Sequence, residues 1–289
     1  MKRLLAFIII LTTTPLPAHA WWPGGHSILS EAAVRALPRE MPNYFRRGAA
    51  MIAHCAQDPD LAKMRELPNA NDSEYPEHYI DYELLQGRAL PPTRYQFVRL
   101  CAELKLDPKE VGLLPYAIAE WTERLTVAFA EHRRWPDDAA IRSKSLVYAG
   151  FLAHYAGDMC MPLHVTVNHD GMAKPDGSSP RTGIHAKVDG LIQRLAMKPQ
   201  DLAKNQSVQA VPELMPAILA ELNQSRSKID RVYELESVLP GETGAWKPDS
   251  RVVDFGVERA REATRFTAAL YLTAWKNSAA LKLPAWLKR

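Results

Sequence analysis

Apolar positions along this chain recur at helical rather than strand spacing. Strict alternation is rare and Val/Ile-rich runs are short, so strand signals are weak. Residues 143–159 are apolar at helical spacing and stop just before Pro162, which cannot continue a helix. Asp107-Pro108-Lys109-Glu110 combines an N-cap, a proline at the first helical position and a Glu at the third, and it predicts a helix running to about Arg134. Helices are also predicted over 185–195, 212–235 and 251–276. Loops marked by Pro and Gly separate them, notably 168–183 and 240–248. There is no internal repeat and no low-complexity linker. The pattern predicts one all-α domain of roughly seven to nine helices carrying long functional loops.

The N-terminus changes the picture. Residues 1–20 read MKRLLAFIIILTTTPLPAHA: a basic start at Lys2 and Arg3, an apolar run from Leu4 to Leu11, and small residues at Ala18 and Ala20. The run is too short to span a bilayer, and a cleavage pattern follows it. Residues 1–20 therefore predict a signal peptide cut after Ala20, the other reading being an uncleaved anchor. A mature domain then occupies 21–289, secreted or periplasmic, and no transmembrane segment is expected. Cleavage removes two cations and no acid, so the formal charge falls from +3 to +1. The basic field of a duplex-binding protein is absent. Cys55, Cys101 and Cys160 allow one disulfide with one thiol left over, and no CxxC is present. Any metal should be held by nitrogen and oxygen.

The chemistry concentrates in FLAHYAGDMCMPLH, residues 151–164. His154 and Asp158 stand four apart and share one helix face. Pro162 turns the chain, so His164 can approach from beyond the helix. His185 and Asp189 repeat the spacing in GIHAKVDG. An imidazole and a carboxylate one turn apart can converge on one ion at about 2 Å. One such pair is more often a surface contact; two pairs plus His164 are more specific. Upstream, AQDPD offers Asp58 and Asp60, and EHYIDYE offers His78 and Asp81. An ordinary turn and a satisfied core histidine are the bland readings of these. Cleavage after Ala20 would also free the Trp21 amine, five residues before His26. An α-amine titrates near 8 and can bind metal at neutral pH. His54, His132 and His169 have no partner at ligand spacing, and Cys160 should point away from any metal.

Taken in order, Trp21, His26, Asp58, His78, His154, Asp158, His164, His185 and Asp189 resemble the zinc-dependent phospholipase C and single-strand-specific nuclease superfamily. The resemblance implies an all-α fold around a trinuclear zinc cleft. One zinc would take Asp58, His78, His154 and Asp158, with Asp60 the alternative to Asp58. A second would take His164, His185 and Asp189. The third would take the amine and carbonyl of Trp21, His26 and the bridging Asp158. The implied activity is a hydrolase acting on phosphodiester bonds, with Asp58 and Asp158 in the catalytic centre. Two close zinc ions lower the pKa of a shared water to about 7, giving a hydroxide nucleophile, and the third offsets charge on the leaving oxygen. No GxSxG or Ser/His/Asp set competes.

Three features resemble the nuclease branch: the close spacing of Trp21 and His26, Asp rather than Glu at 189, and the long loop between His164 and His185. By the same resemblance, Tyr79 would stack a base and Asp81 would accept a hydrogen bond from it. Stacking contributes about 1–3 kcal/mol per base and tolerates any sequence. The expected substrate is a single-stranded nucleic acid or nucleotide, the enzyme being a single-strand-preferring endonuclease and 3'-nucleotidase. The alternative is a phospholipase C acting on phospholipid headgroups. A zinc-binding protein without turnover would need a missing ligand. No stable protein partner is expected.

Overall fold

A computed structural model describes residues 21–241 and 244–288. The expected signal segment, residues 1–20, lies outside them. The described residues form fifteen α-helices and four short 3-10 helices, with a single isolated bridge between His169 and Gly171 in place of any strand. The protein is all-α. None of the helices described is long and apolar enough to cross a membrane.

The sequence expectation of seven to nine helices undercounts because several continuous patterns are broken by tertiary contacts. The 107–134 stretch begins as expected, with the Asp107 carboxylate accepting from Lys109 N at 2.9 Å. It then divides into Pro108–Val111 and Leu114–Arg134. Gly112 separates the two at φ +92°, and a Cβ there would lie 2.1 Å from the Tyr79 carbonyl oxygen. Only glycine permits both the backbone and the approach. The 185–195 stretch divides at Gly190 into Ile184–Asp189 and Leu191–Arg194, and 212–235 into Leu214–Arg226 and Ile229–Leu235.

Two 21-residue helices joined by a four-residue turn, Leu114–Arg134 and the central helix Ala139–Met159, form an antiparallel pair. The central helix starts earlier than the apolar pattern shows, because Asp138 caps it by accepting from Ala140 N and Ile141 N. It is buried along most of its C-terminal half, from Ala149 to Met159. An element apolar on all sides belongs inside, and the last helix, Ser250–Asn277, covers it together with the first helix, Pro23–Ala36. The Tyr271 hydroxyl donates to Ala149 O at 2.8 Å across that contact. Helix Ala49–Cys55 meets the central helix at Gly150, where a Cβ would lie 2.5 Å from the Cys55 Cβ. The buried end of the central helix therefore holds His154 and Asp158 where four elements meet.

All three cysteines are free and buried. The disulfide that the sequence allows does not form: Cys160, turned from the histidines as expected, donates to Glu221 Oε1 at 3.3 Å.

Candidate metal centre

Three groups of buried side chains, the first two sharing His154, place the ligand atoms of each group within 4.8 Å of one another: His26 with His154 and Asp158, Asp60 with His78 and His154, and His164 with His185 and Asp189. The central helix supplies His154 and Asp158 one turn apart. A 3-10 turn after Met161 supplies His164, and the short helix Ile184–Asp189 supplies the second pair.

Main-chain carbonyls orient three of the imidazoles. His154 Nδ1 donates to Ala56 O at 2.8 Å, His164 Nδ1 to His78 O at 2.6 Å, and His185 Nδ1 to His169 O at 3.0 Å. Each bond puts the ring proton on Nδ1 and leaves the Nε2 lone pair facing the other ligands. His78 is reversed. Its Nδ1 faces inward, 2.9 Å from His154 Nε2 and 3.1 Å from Asp158 Oδ2.

Asp158 has no exposed surface and presents its two oxygens to different sides. Oδ1 lies 3.3 Å from His26 Nε2, and Oδ2 lies 3.4 Å from His154 Nε2. This is the disposition a bridging carboxylate needs. In the third group His164 Nε2 and His185 Nε2 are 3.1 Å apart, and His185 Nε2 is 3.1 Å from Asp189 Oδ2.

These residues fit a metal on two grounds. Tetrahedral zinc ligands at about 2 Å stand about 3.3 Å from one another, matching these separations. Several buried polar atoms also lack a hydrogen-bond partner among the described residues: both ring nitrogens of His26, Oδ1 of Asp158 and both oxygens of Asp189. Buried polar groups are ordinarily satisfied, and a cation would satisfy these.

Electrostatics keep part of the set in its metal-binding form, while, against burial, the carboxylates Asp158 and Asp189 raise His154 and His185 respectively. Burial works to raise the Asp158 carboxyl, but His154 and His164 outweigh it and hold the group well below the usual carboxylate range. Burial pushes His164 down to about 3, and burial with the neighbouring His154 lowers His26. Both are neutral imidazoles at pH 7, the form that binds metal. Burial raises Asp189 to about 6.

Asp58 is the site residue placed differently. It sits at the start of helix Asp58–Ala62, beside the Cys55 thiol. Asp60, two residues on and so roughly 200° round the helix, is buried and points at the histidines, 4.0 Å from His78 Nδ1 and 3.9 Å from His154 Nε2. Asp60, the alternative, takes the position expected of Asp58. Tyr79 and Asp81 are in none of the three groups. The Tyr79 hydroxyl donates to Lys109 O at 2.5 Å. Burial, aided by Glu83, raises the Asp81 carboxyl to about 7. Trp21 is fully buried, and its indole Nε1 donates at 3.0 Å to the carbonyl of Gly157, the residue before Asp158. A Cβ at Gly157 would lie 3.3 Å from His26 Nδ1, so Trp21, His26 and Asp158 converge.

Sequence reasoning missed two neighbours. The Lys63 ammonium pairs with Asp60 Oδ1 at 2.6 Å, and Glu74 Oε1 lies 3.6 Å from His78 Nε2. Spacings of three from Asp60 and four from His78 were the available signals.

The chain is thus an all-α protein with three linked His/Asp groups at its centre. The solved structures that it resembles include two alpha-toxins. Alpha-toxin from Clostridium absonum is 13% identical with a TM-score of 0.44, over 87% of this chain and 63% of the toxin. Alpha-toxin from an avian strain of Clostridium perfringens is 13% identical with a TM-score of 0.40, over 93% of this chain and 68% of the toxin. The chain thus spans under two thirds of the length of the first. No protein-family model and no curated protein matches it.

Proposed function

We propose that this protein is a zinc-dependent phosphodiester hydrolase, exported after cleavage behind Ala20, with its mature domain at 21–289. The observation that carries the reading is the set of three buried His/Asp groups, two of them sharing His154 and the third meeting Asp158 through His164 at 4.0 Å. Nitrogen and oxygen donors without thiolate suit zinc. Adjacent metal ions suit displacement at phosphorus, where zinc supplies an acidified water and offsets negative charge. The chain's own part is to hold that arrangement rigid. Asp158 links two groups, backbone carbonyls aim three imidazoles, and Lys63 adds an ammonium beside Asp60.

Single-stranded nucleic acid is the substrate favoured by the Trp21–His26 spacing, by Asp189 and by the long 164–185 loop, with Tyr79 and Asp81 as the proposed base contacts. A second reading, phospholipid, is favoured by one feature of the structure. Leu61, Met64, Leu67 and Tyr75 are all exposed, on the segment joining Asp60 to His78. Exposed apolar clusters mark interaction surfaces, membranes among them.

Metal analysis of mature protein should find three zinc ions per chain, and one or fewer would refute the trinuclear reading. Single-stranded DNA and RNA should be cut and duplex resisted. Cleavage of phosphatidylcholine vesicles with oligonucleotides left intact would move the assignment to phospholipid.

A further inference from the structure

The reversed His78 needs an orienting partner of its own. His154, His164 and His185 each spend Nδ1 on a backbone carbonyl. His78 turns Nδ1 inward, and its Nε2 has no hydrogen-bond partner among the described residues. The carboxylate facing that nitrogen is Glu74, at 3.6 Å, one helical turn earlier in the chain. The distance is long for a hydrogen bond and closes with a small rotation of the ring.

Glu74 is itself held. The Tyr155 hydroxyl donates to Glu74 Oε1. Tyr155 is 1% exposed and follows His154 directly on the central helix, so its backbone moves with the metal groups. Its ring also meets His78 edge-on, with centroids 5.7 Å apart.

We infer that Glu74, locked by Tyr155, is a positioning residue that accepts a hydrogen bond from His78 Nε2 and fixes Nδ1 as the metal-binding atom. This rests on the metal reading above. A carboxylate behind a ligating imidazole orients the ring and makes it a stronger donor, and losing one typically weakens metal binding 10–100-fold. The role is specific to one ion, because Glu74 faces only His78, while His154, His164 and His185 lean on main chain that no side-chain substitution removes.

The test is zinc release from the holoenzyme under a graded chromophoric chelator, with wild type, Glu74→Ala, Glu74→Gln and Tyr155→Phe compared. The wild-type release profile is the reference. In Glu74→Ala one ion per chain should leave at roughly 10–100-fold less chelator, the others staying put. Glu74→Gln keeps an acceptor but loses the charge, so it should recover part of the loss, and Tyr155→Phe should show a smaller shift in the same ion. The melting temperature of zinc-free protein should stay near wild type in Glu74→Gln. Wild-type chelator resistance in all three variants would overturn the role of Glu74 alone. Simultaneous loss of every ion with a lowered zinc-free melting temperature would also overturn it, marking general loosening. A wild-type protein that binds no zinc would overturn the metal reading, and this inference with it.

Discussion

Gly150→Ala should damage the proposed metal centre without touching a candidate ligand. Gly150 stands one turn before His154 on the central helix, where helix Ala49–Cys55 crosses. An alanine Cβ would lie 2.5 Å from the Cys55 Cβ and 2.9 Å from both the Cys55 carbonyl carbon and Ile52 O. Two of these atoms are backbone, so no side-chain rotation relieves the clash. Ordinary carbon contacts begin near about 3.5 Å, so the neighbouring helix must retreat by about 1 Å. The residue after that helix is Ala56, whose carbonyl accepts from His154 Nδ1 at 2.8 Å. A retreat of that size takes the bond out of range and carries the short helix bearing Asp60 with it. Overpacking costs about 1–3 kcal/mol, and replacing glycine inside a helix returns about 1 kcal/mol. Net stability should therefore fall by only about 0–2 kcal/mol, while zinc affinity and turnover drop roughly 10–100-fold, as for loss of a ligand's orienting bond. The assay is chelator competition beside the melting temperature of zinc-free protein. Gly48→Ala is the control, since the three atoms nearest its Cβ would all belong to the Leu146 side chain, which can swing aside. A Gly150→Ala protein with wild-type zinc retention and rate, however much less stable, would refute the reasoning.

Asp158→Asn removes a charge that faces four histidines within 4.0 Å, and it should cost roughly 1,000-fold in turnover. Asp81→Asn should cost far less, and equal small losses would count against Asp158 as a ligand. A protein that keeps Met before Trp21 should fold, since the Trp21 indole still reaches Gly157 O, but it should lose one zinc and most of its rate. Equal zinc and rate in extended and trimmed forms would remove the amine from the proposal. Burial, with Glu262 beside it, raises Glu221 from an ordinary 4.5 to about 8. The folded state then holds a proton that the unfolded state has shed, so stability should fall as pH rises from about 4.5 to about 8. Glu221→Gln should flatten that slope in denaturation curves, and an unchanged slope would clear Glu221.

Local spacing made part of the centre legible. His154 with Asp158 and His185 with Asp189 are one-turn pairs, and helix geometry alone puts each pair on one face. Asp58 and Asp60 show where such reasoning stops. The helix that holds them is five residues long, with too little pattern to tell its buried side. Glu74 and Tyr155 are 81 residues apart, and only the fold brings them together. The long helices were readable from apolar period and caps, as at Asp107. The breaks were not: Gly112 interrupts a helical pattern because Tyr79, distant in sequence, presses against it. The short N-terminal helices lack the window that periodicity requires, and their stability comes from packing rather than propensity.

The contact between the His78 and His164 segments bears on how the centre fluctuates. His164 Nδ1 donates to His78 O, and Ile80 N donates to His164 O at 2.8 Å. The chain around Ile80 is stitched on its other side as well, by Asp81 N to Val111 O at 2.7 Å and Leu114 N to Tyr79 O at 3.2 Å. Two ligands from opposite halves of the sequence are thereby rungs of one small main-chain lattice. A displacement of one segment is passed to the other through these bonds. Under the proposed zinc reading, the distance between the cations these two residues would hold is set by main-chain bonds and not by the packing of the helices around them.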